Sequence, residues 1–506
     1  MPHAFACIPC AALALFSFAA AAQQSFQSRY YPFDNLDPAV QVDLNNDGIP
    51  DFIAETRNLQ VQELLSSGAG NYTSKTLTVT GSNGGYPIVS GDFNGDGIAD
   101  VVFWNPYGIA YGDGSGGFSS FKSIPWSGTS GYARAVVADC NHDGAPDVIV
   151  AYANSSQFQV VEFLNDGSGP ITPKVIYTQT IPSGSTPGFE YTTALDLVLG
   201  DFDADGNLDF FLRTTESDPS NPAQPIVTLT ALYGNGGGFF TPKTVEVSHS
   251  AIYEIASARL NGDGTSDIVA NNFSGGTTAP MRIYYGQTNR TFNAVNQAAA
   301  NDRAINPMLA DFNGDQRKDI IYPAQTSAAQ DNIGISELLR ASSGSYTQQP
   351  FYPNDTYNAQ AGVVPFSQTF VGDYNHDGRP DVAMISSANQ VGHPNSLVIM
   401  LNGGVPPNGT CMTPSGVGIA VCSPAPGATV SRPFNVTFSA NYLYPLRDTQ
   451  VWIDGVKKSE QYEAFDTQAF HSASFFPSTG KHTIGLFAVT YDGKMLLHKS
   501  YTVTVK

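Results

Sequence analysis

One pattern constrains this chain more than anything else in it. Asp-x-Asn/Asp-x-Asp-Gly-x-x-Asp recurs seven times before residue 382, at 43–51, 92–100, 139–147, 201–209, 259–267, 311–319 and 373–381. The copies start 49, 47, 62, 58, 52 and 62 residues apart. A period of about 55 residues is the length of one supersecondary unit, so the chain repeats a small motif instead of building seven domains.

The residue types point to a hard cation. Calcium takes six to eight oxygens at about 2.3–2.6 Å, and a short loop can supply them from alternate positions. Positions 1, 3, 5 and 9 carry Asp43, Asn45, Asp47 and Asp51 in the first loop, and Asp92, Asn94, Asp96 and Asp100 in the second. The third has Asp139, Asn141, Asp143 and Asp147, and the fourth Asp201, Asp203, Asp205 and Asp209. The sixth has Asp311, Asn313, Asp315 and Asp319, and the seventh Asp373, Asn375, Asp377 and Asp381. Position 7 would add a backbone carbonyl, and glycine at position 6 permits the positive φ of a sharp turn. An EF-hand would need a glutamate at position 12, where this chain has Ala54, Phe103, Val150, Leu212, Ala270, Tyr322 and Met384. Short apolar runs such as 101–104, 148–150 and 210–212 follow position 9, so the loops join strands, not helices. Asp, Asn and Gly are also ordinary turn formers. Yet 21 of the chain's 44 acidic residues sit in these loop positions, and such clustering of like charge is unfavourable without a cation.

Two loops depart from the pattern. The fifth begins with Arg259, a guanidinium where a ligand should be, and is expected to hold no ion and to be stapled by its own arginine. The sixth has Gln316 in place of glycine, beside Arg317 and Lys318, which adds backbone strain and positive charge and implies weak affinity. Loop four is the most strongly charged. Five ions are expected to bind well, in loops one, two, three, four and seven.

Behind most loops a strand ends in a glycine-rich turn and an aromatic, as at 110–118 and 232–239, with weaker versions at 163–169 and 284–292. The loop and the turn, recurring in order over about residues 26–405, resemble the FG-GAP or VCBS repeat of integrin α-chain propellers and of secreted bacterial proteins. The resemblance implies four strands per unit and, from seven units, an all-β, seven-bladed β-propeller. Strands near 368–372, 382–386 and 397–401 give the seventh blade three of its four, and the aromatic-rich segment 26–33 is expected to supply the fourth.

The ends bound the rest. Residues 1–22 combine an apolar run, 11–18, with Ala19 to Ala22, as a secretory signal does, although its first residues lack Lys or Arg. The propeller is placed at 23–405, and a linker and second domain at 406–506. There the loops give way to alternating strands at 434–438, 450–453 and 482–489, with hairpin signals at Asp454-Gly455 and Asp492-Gly493. This region resembles bacterial immunoglobulin-like β-sandwich modules. Export favours a Cys411–Cys422 disulfide, and Cys140 is expected to be a buried free thiol.

A formal charge of −20 argues against nucleic acid or an anionic membrane as partner, although seven bound divalent ions would reduce it to −6. No run of 18 apolar residues follows residue 22, so no membrane span is expected and the protein is placed outside the cell, at its surface or in the periplasm. No HExxH, GxSxG, CxxC or phosphate-loop motif occurs. His142 and His376 occupy position 4 of their loops, and the carboxylates are committed to metal. The resemblance therefore implies a secreted, calcium-binding, non-enzymatic binding or adhesion module, whose protein or glycan ligand meets the face away from the loops. A carbohydrate-binding lectin and, behind it, a polysaccharide lyase are the alternatives, since both occur on calcium propellers.

Overall fold

The runs that follow each loop become strands buried on both faces, which is why they read as continuous apolar stretches instead of alternating ones. Val101 to Trp104 and Val148 to Ala153 are buried at every position. The computed structural model describes residues 26–506 apart from 33–38, 56–59, 78, 80–85, 105–106, 127–132, 166–171, 189–193, 222–223, 250, 274–280, 298–305, 326–331, 351, 359–365, 387–395, 404–413, 415–416, 443–445, 463–467 and 491–495. The expected signal segment, Cys411 and the Asp492-Gly493 turn lie outside the described residues.

No helix occurs among the described residues. Seven antiparallel sheets form the blades, each led by an inner strand that runs into its acidic loop: Ala39–Val42, Tyr86–Gly91, Ala133–Ala138, Leu195–Gly200, Ala251–Ala258, Met308–Ala310 and Phe366–Gly372. Blade six has a broken outer edge, where Tyr346–Gln348 and Tyr352–Asn358 both pair with Asn332–Arg340. Blade seven takes its outer strand from the start of the chain. Phe26–Pro32 pairs antiparallel with Ser396–Asn402, Phe26 opposite Asn402 and Pro32 opposite Ser396, as the sequence led one to expect.

The core lies between blades, in seven clusters, one at each junction. Phe52, Ala54 and Leu64 of blade one pack with Tyr374, Ile385 and Ile399 of blade seven, which closes the ring. Side chains of the inner strands reinforce it. Gln368 accepts from the Ala39 N–H at 2.6 Å, Gln41 donates to the Val371 carbonyl at 3.2 Å, and Ser90 donates to the Gln41 carbonyl at 3.2 Å. Ser257 caps the Leu199 carbonyl in the same way. These bonds join residues at nearly equal distances from their loops, so the inner strands run parallel and the seven loops lie on one face.

The C-terminal region folds as two sheets over one core. Gly418–Ser423, Phe434–Asn441 and Gln468–Phe475 form one sheet; Thr429–Val430, Leu496–Val505, Gly480–Thr490, Leu446–Ile453 and Val456–Tyr462 form the other. Val436, Phe438, Val451, Leu486 and Val503 fill the space between them. Asp454 and Gly455, at φ 52° and 77°, make the expected two-residue hairpin. Cys422 is disulfide-bonded, and Cys140 is a buried free thiol. His471 is buried and stacked on Phe438, and burial lowers its pKa from 6.5 to about 4.

Two outcomes follow from this architecture. Deleting 26–32 strips the outer strand from blade seven and should cost about 3–5 kcal/mol in a denaturant titration; an unchanged midpoint would contradict the closure. His471 binds its proton more weakly folded than unfolded, so stability is lost as pH falls from about 6.5 to about 4. The loss should approach roughly 3 kcal/mol, and His471→Leu should remove that part of the acid slope.

Candidate metal centre

Each acidic loop is held open by its own backbone. In the six loops that begin with aspartate, it accepts from the N–H groups of positions 5 and 6, as Asp43 does from Asp47 at 3.1 Å and Gly48 at 2.8 Å. The third residue accepts from position 5, and the fifth from position 7, as in Asn45 from Asp47 and Asp47 from Ile49. Position 6 has positive φ in every copy, including Gln316 at 71°, the strained substitution read from the sequence. Position 4 shares that conformation, in Asn46, His142, Ala204 and His376 as well as in three glycines, and the sequence reading did not see it. Tight turns at both positions bring the side chains of positions 1, 3 and 5 onto the loop's own N–H groups.

The ninth position does something different. In all seven copies this aspartate is fully buried. One oxygen accepts from the N–H of position 2 in its own loop: Leu44, Phe93, Cys140, Phe202, Leu260, Phe312 and Tyr374, at 2.8–3.1 Å. The other accepts from the glycine-turn end of the third strand: Ser66, Gly112, Asn165, Gly234, Gly286, Arg340 and Asn402, at 2.7–3.0 Å. Loop and turn, the two linked motifs of the sequence, are thus joined by one carboxylate within each blade. Burial outweighs these bonds and pushes the carboxyls up, to about 7 in Asp100 and Asp267 and about 8 in Asp51, Asp147, Asp209, Asp319 and Asp381.

Turns also clasp the loop of the preceding blade. Gly116 N–H donates to the Leu44 carbonyl, Asn165 to the Phe93 carbonyl, Asn402 to the Phe312 carbonyl and Gly70 N–H to the Tyr374 carbonyl. Lys75 and Lys174 reach across the junctions of blades one and two and of blades three and four to the carbonyls of Gly116 and Gly238. None of these cross-blade partners is legible from spacing alone.

The loops are not equivalent. In loop four Asp201, Asp203 and Asp209 bring ligand atoms within 4.8 Å of one another. Arg290, from the glycine turn of blade five, lies against that group, its Nε 2.6 Å from Asp203 and its Nη2 3.3 Å from Asp205. Arg317 pairs with Asp315 in loop six and Arg379 with Asp377 in loop seven, each at 2.6 Å. In loop five Arg259 replaces the first ligand, and its charge also bears on Asp201 of loop four, lowering a carboxyl that burial raises to about 6. Among the described residues, the carboxylates of loops one, two and three pair with no arginine or lysine. Cys140 and Asp147 of loop three also meet the buried Glu162, which lies 3.4 Å from Lys174.

Comparison with known proteins agrees on the repeat. The chain matches the family described as FG-GAP-like repeat over residues 43–103, 139–212 and 259–322, and so carries that repeat in three stretches. No curated protein matches it. Among solved structures it is similar to AofleA from Arthrobotrys oligospora, at 8% identity and a TM-score of 0.36, covering 67% of this chain and 94% of that one. It is also similar to the exotype rhamnogalacturonan lyase YesX, at 11% identity and 0.31, covering 96% and 91%. For the α-L-arabinofuranosidase from Lactobacillus brevis the figures are 13%, 0.32, 53% and 89%. Likenesses this loose carry no argument about activity.

Loop five separates the clamp from the metal. Asp267→Ala leaves two buried N–H groups without acceptors in a loop that has lost its first ligand, and should cost about 2–5 kcal/mol with or without a chelator. A cost that appears only with calcium present would refute the clamp.

Proposed function

We propose, from the premise that the chain is an FG-GAP-repeat propeller, that it is an exported, calcium-stabilised, non-catalytic binding module. The observation that carries this is the donor set. Six of the seven loops offer side-chain oxygens at positions 1, 3, 5 and 9, held by their own backbone in a tight turn, and the like charges gathered there are favoured by a cation beside them. That chemistry suits a hard divalent ion and not a soft one. Asp43, Asn45 and Asp47 would hold it in loop one, with Asp51 behind them, and the equivalent residues would do so in loops two and three. The bound ion supplies positive charge to the loop and no reaction step. The chain's own part is to keep the oxygens apart and dry until the ion arrives.

The arginines refine the ranking. Arg290, Arg317 and Arg379 already oppose the fifth-position carboxylates of loops four, six and seven, so a cation competes with them there. Loops one, two and three carry the strongest sites in this reading. Loops four and seven, which look as good in sequence, rank below them. With the ions confined to one face, the other is left for a ligand, in line with a role in extracellular binding or adhesion.

Chelation should lower the melting midpoint, since a ligand at about 100-fold its Kd adds about 2.7 kcal/mol per site. Arg290→Gln should tighten one class of calcium site in calorimetric titration, and Asp96→Ala should remove one. A chelated protein that melts unchanged would sink the calcium reading. A protein and glycan binding screen, run with and without chelator, tests the module.

A further inference from the structure

The inner strands of blades one, two, three and seven line a solvent-open cavity of about 350 Å³. Its walls are Ala39 to Gln41, Ile88 to Ser90, Ala133 to Ala135, Gln368, Phe370 and Val371. All of them precede their acidic loops by at least two residues, so the cavity lies on the inner strands away from the loops themselves. Most of this lining is apolar, and its polar side chains are mostly occupied. Gln41 donates to Val371 and accepts from the Tyr374 hydroxyl at 2.7 Å. Gln368 both accepts from and donates to the backbone of Ala39. Ser90 caps Gln41.

Arg134 is the exception. Its guanidinium makes one long hydrogen bond, 3.4 Å to the carbonyl of its own neighbour Ala133, and ion-pairs with no carboxylate among the described residues. Glu55 of blade one and Arg134 both bear on the Tyr86 hydroxyl, with no ion pair between them, and the acidic groups of the following blades are engaged elsewhere. Asp196 accepts from the N–H groups of Leu197 and Ile255, each at 3.0 Å, and with Glu254 it faces the fully buried Arg213. Arg213 and Arg134 repel each other, which a bound anion would relieve.

We propose that this cavity binds a compact monocarboxylate, with Arg134 as its anchor. This rests on the binding-module reading and names its ligand class. A planar fork of donors at the wall of a mostly apolar recess suits a carboxylate taken bidentately. The volume suits a ligand of about a dozen non-hydrogen atoms, the size of a hexuronic acid. The ring-closing bonds hold the walls, so the site is rigid before binding.

The test is calorimetry on the full chain with calcium present, using glucuronate, lactate and benzoate as probes and glucose as the uncharged control. At least one carboxylate should bind and glucose should not. Arg134→Gln should weaken that carboxylate at least ten-fold, with Arg134→Lys intermediate because a point charge lacks the fork. Unchanged melting midpoints would show that the variants fold. Equal binding by wild type and Arg134→Gln overturns the assignment, as does the absence of binding by all three acids. A partner found in the protein and glycan screen and captured equally by Arg134→Gln would leave the module reading standing and this one refuted.

Discussion

A buried carboxylate that accepts two backbone hydrogen bonds is the interaction on which each blade depends. Asp51 and its six counterparts tie the start of the acidic loop to the end of the third strand, fixing where the first and second strands part and where the third must stop. A hydrogen bond to a buried backbone N–H is worth about 0.5–1.5 kcal/mol net, and losing the acceptor strands two donors in the core. The position has no latitude. A shorter or apolar side chain satisfies neither donor, and a longer one cannot fit where the aspartate is fully enclosed. Loop five makes the point, because it has lost a ligand to Arg259 yet keeps Asp267 with both bonds intact.

Blades have little core of their own. Every apolar cluster of the ring belongs to two neighbours, so a blade buries its faces only by stacking, as in other repeat folds. The ring differs from an open array in having no end blade to protect. The first residues of the chain close the last blade, and Phe52 and Tyr374 pack across the seam with ring centroids 5.7 Å apart. Stability is therefore expected to be shared around the ring, with the seam at Ala39, Gln41 and Gln368 as its point of entry.

The loops and the inner strands that lead into them have opposite character. One face gathers seven acidic loops, three of them opposed by arginines that reach a fifth-position carboxylate. The inner strands of four blades line a mostly apolar recess with one half-buried guanidinium. A cation in the loops and an anion in the recess would each answer an uncompensated charge. In the proposed reading the metal loops stiffen the ring and the remote face meets the ligand.

Much was legible in the residues themselves because it is local. The spacing of Asp, Asn and Gly specifies a turn whatever surrounds it, and the apolar runs after each loop specify strands covered on both sides. The spare aromatic segment before the first loop, set against a last repeat one strand short, even implied closure. Partnership across blades was not legible. Arg290 lies 85 residues from Asp205 and reads as a departure from a glycine turn, and Arg134 reads as any charged residue at a strand start. Stacking the blades brings the turn of one repeat onto the loop of the one before. Only that stacking decides which carboxylates are already opposed by a guanidinium and which guanidinium lines a recess. Sequence determines the unit because its bonds lie within a few residues, whereas charge balance acts through space and waits on the ring.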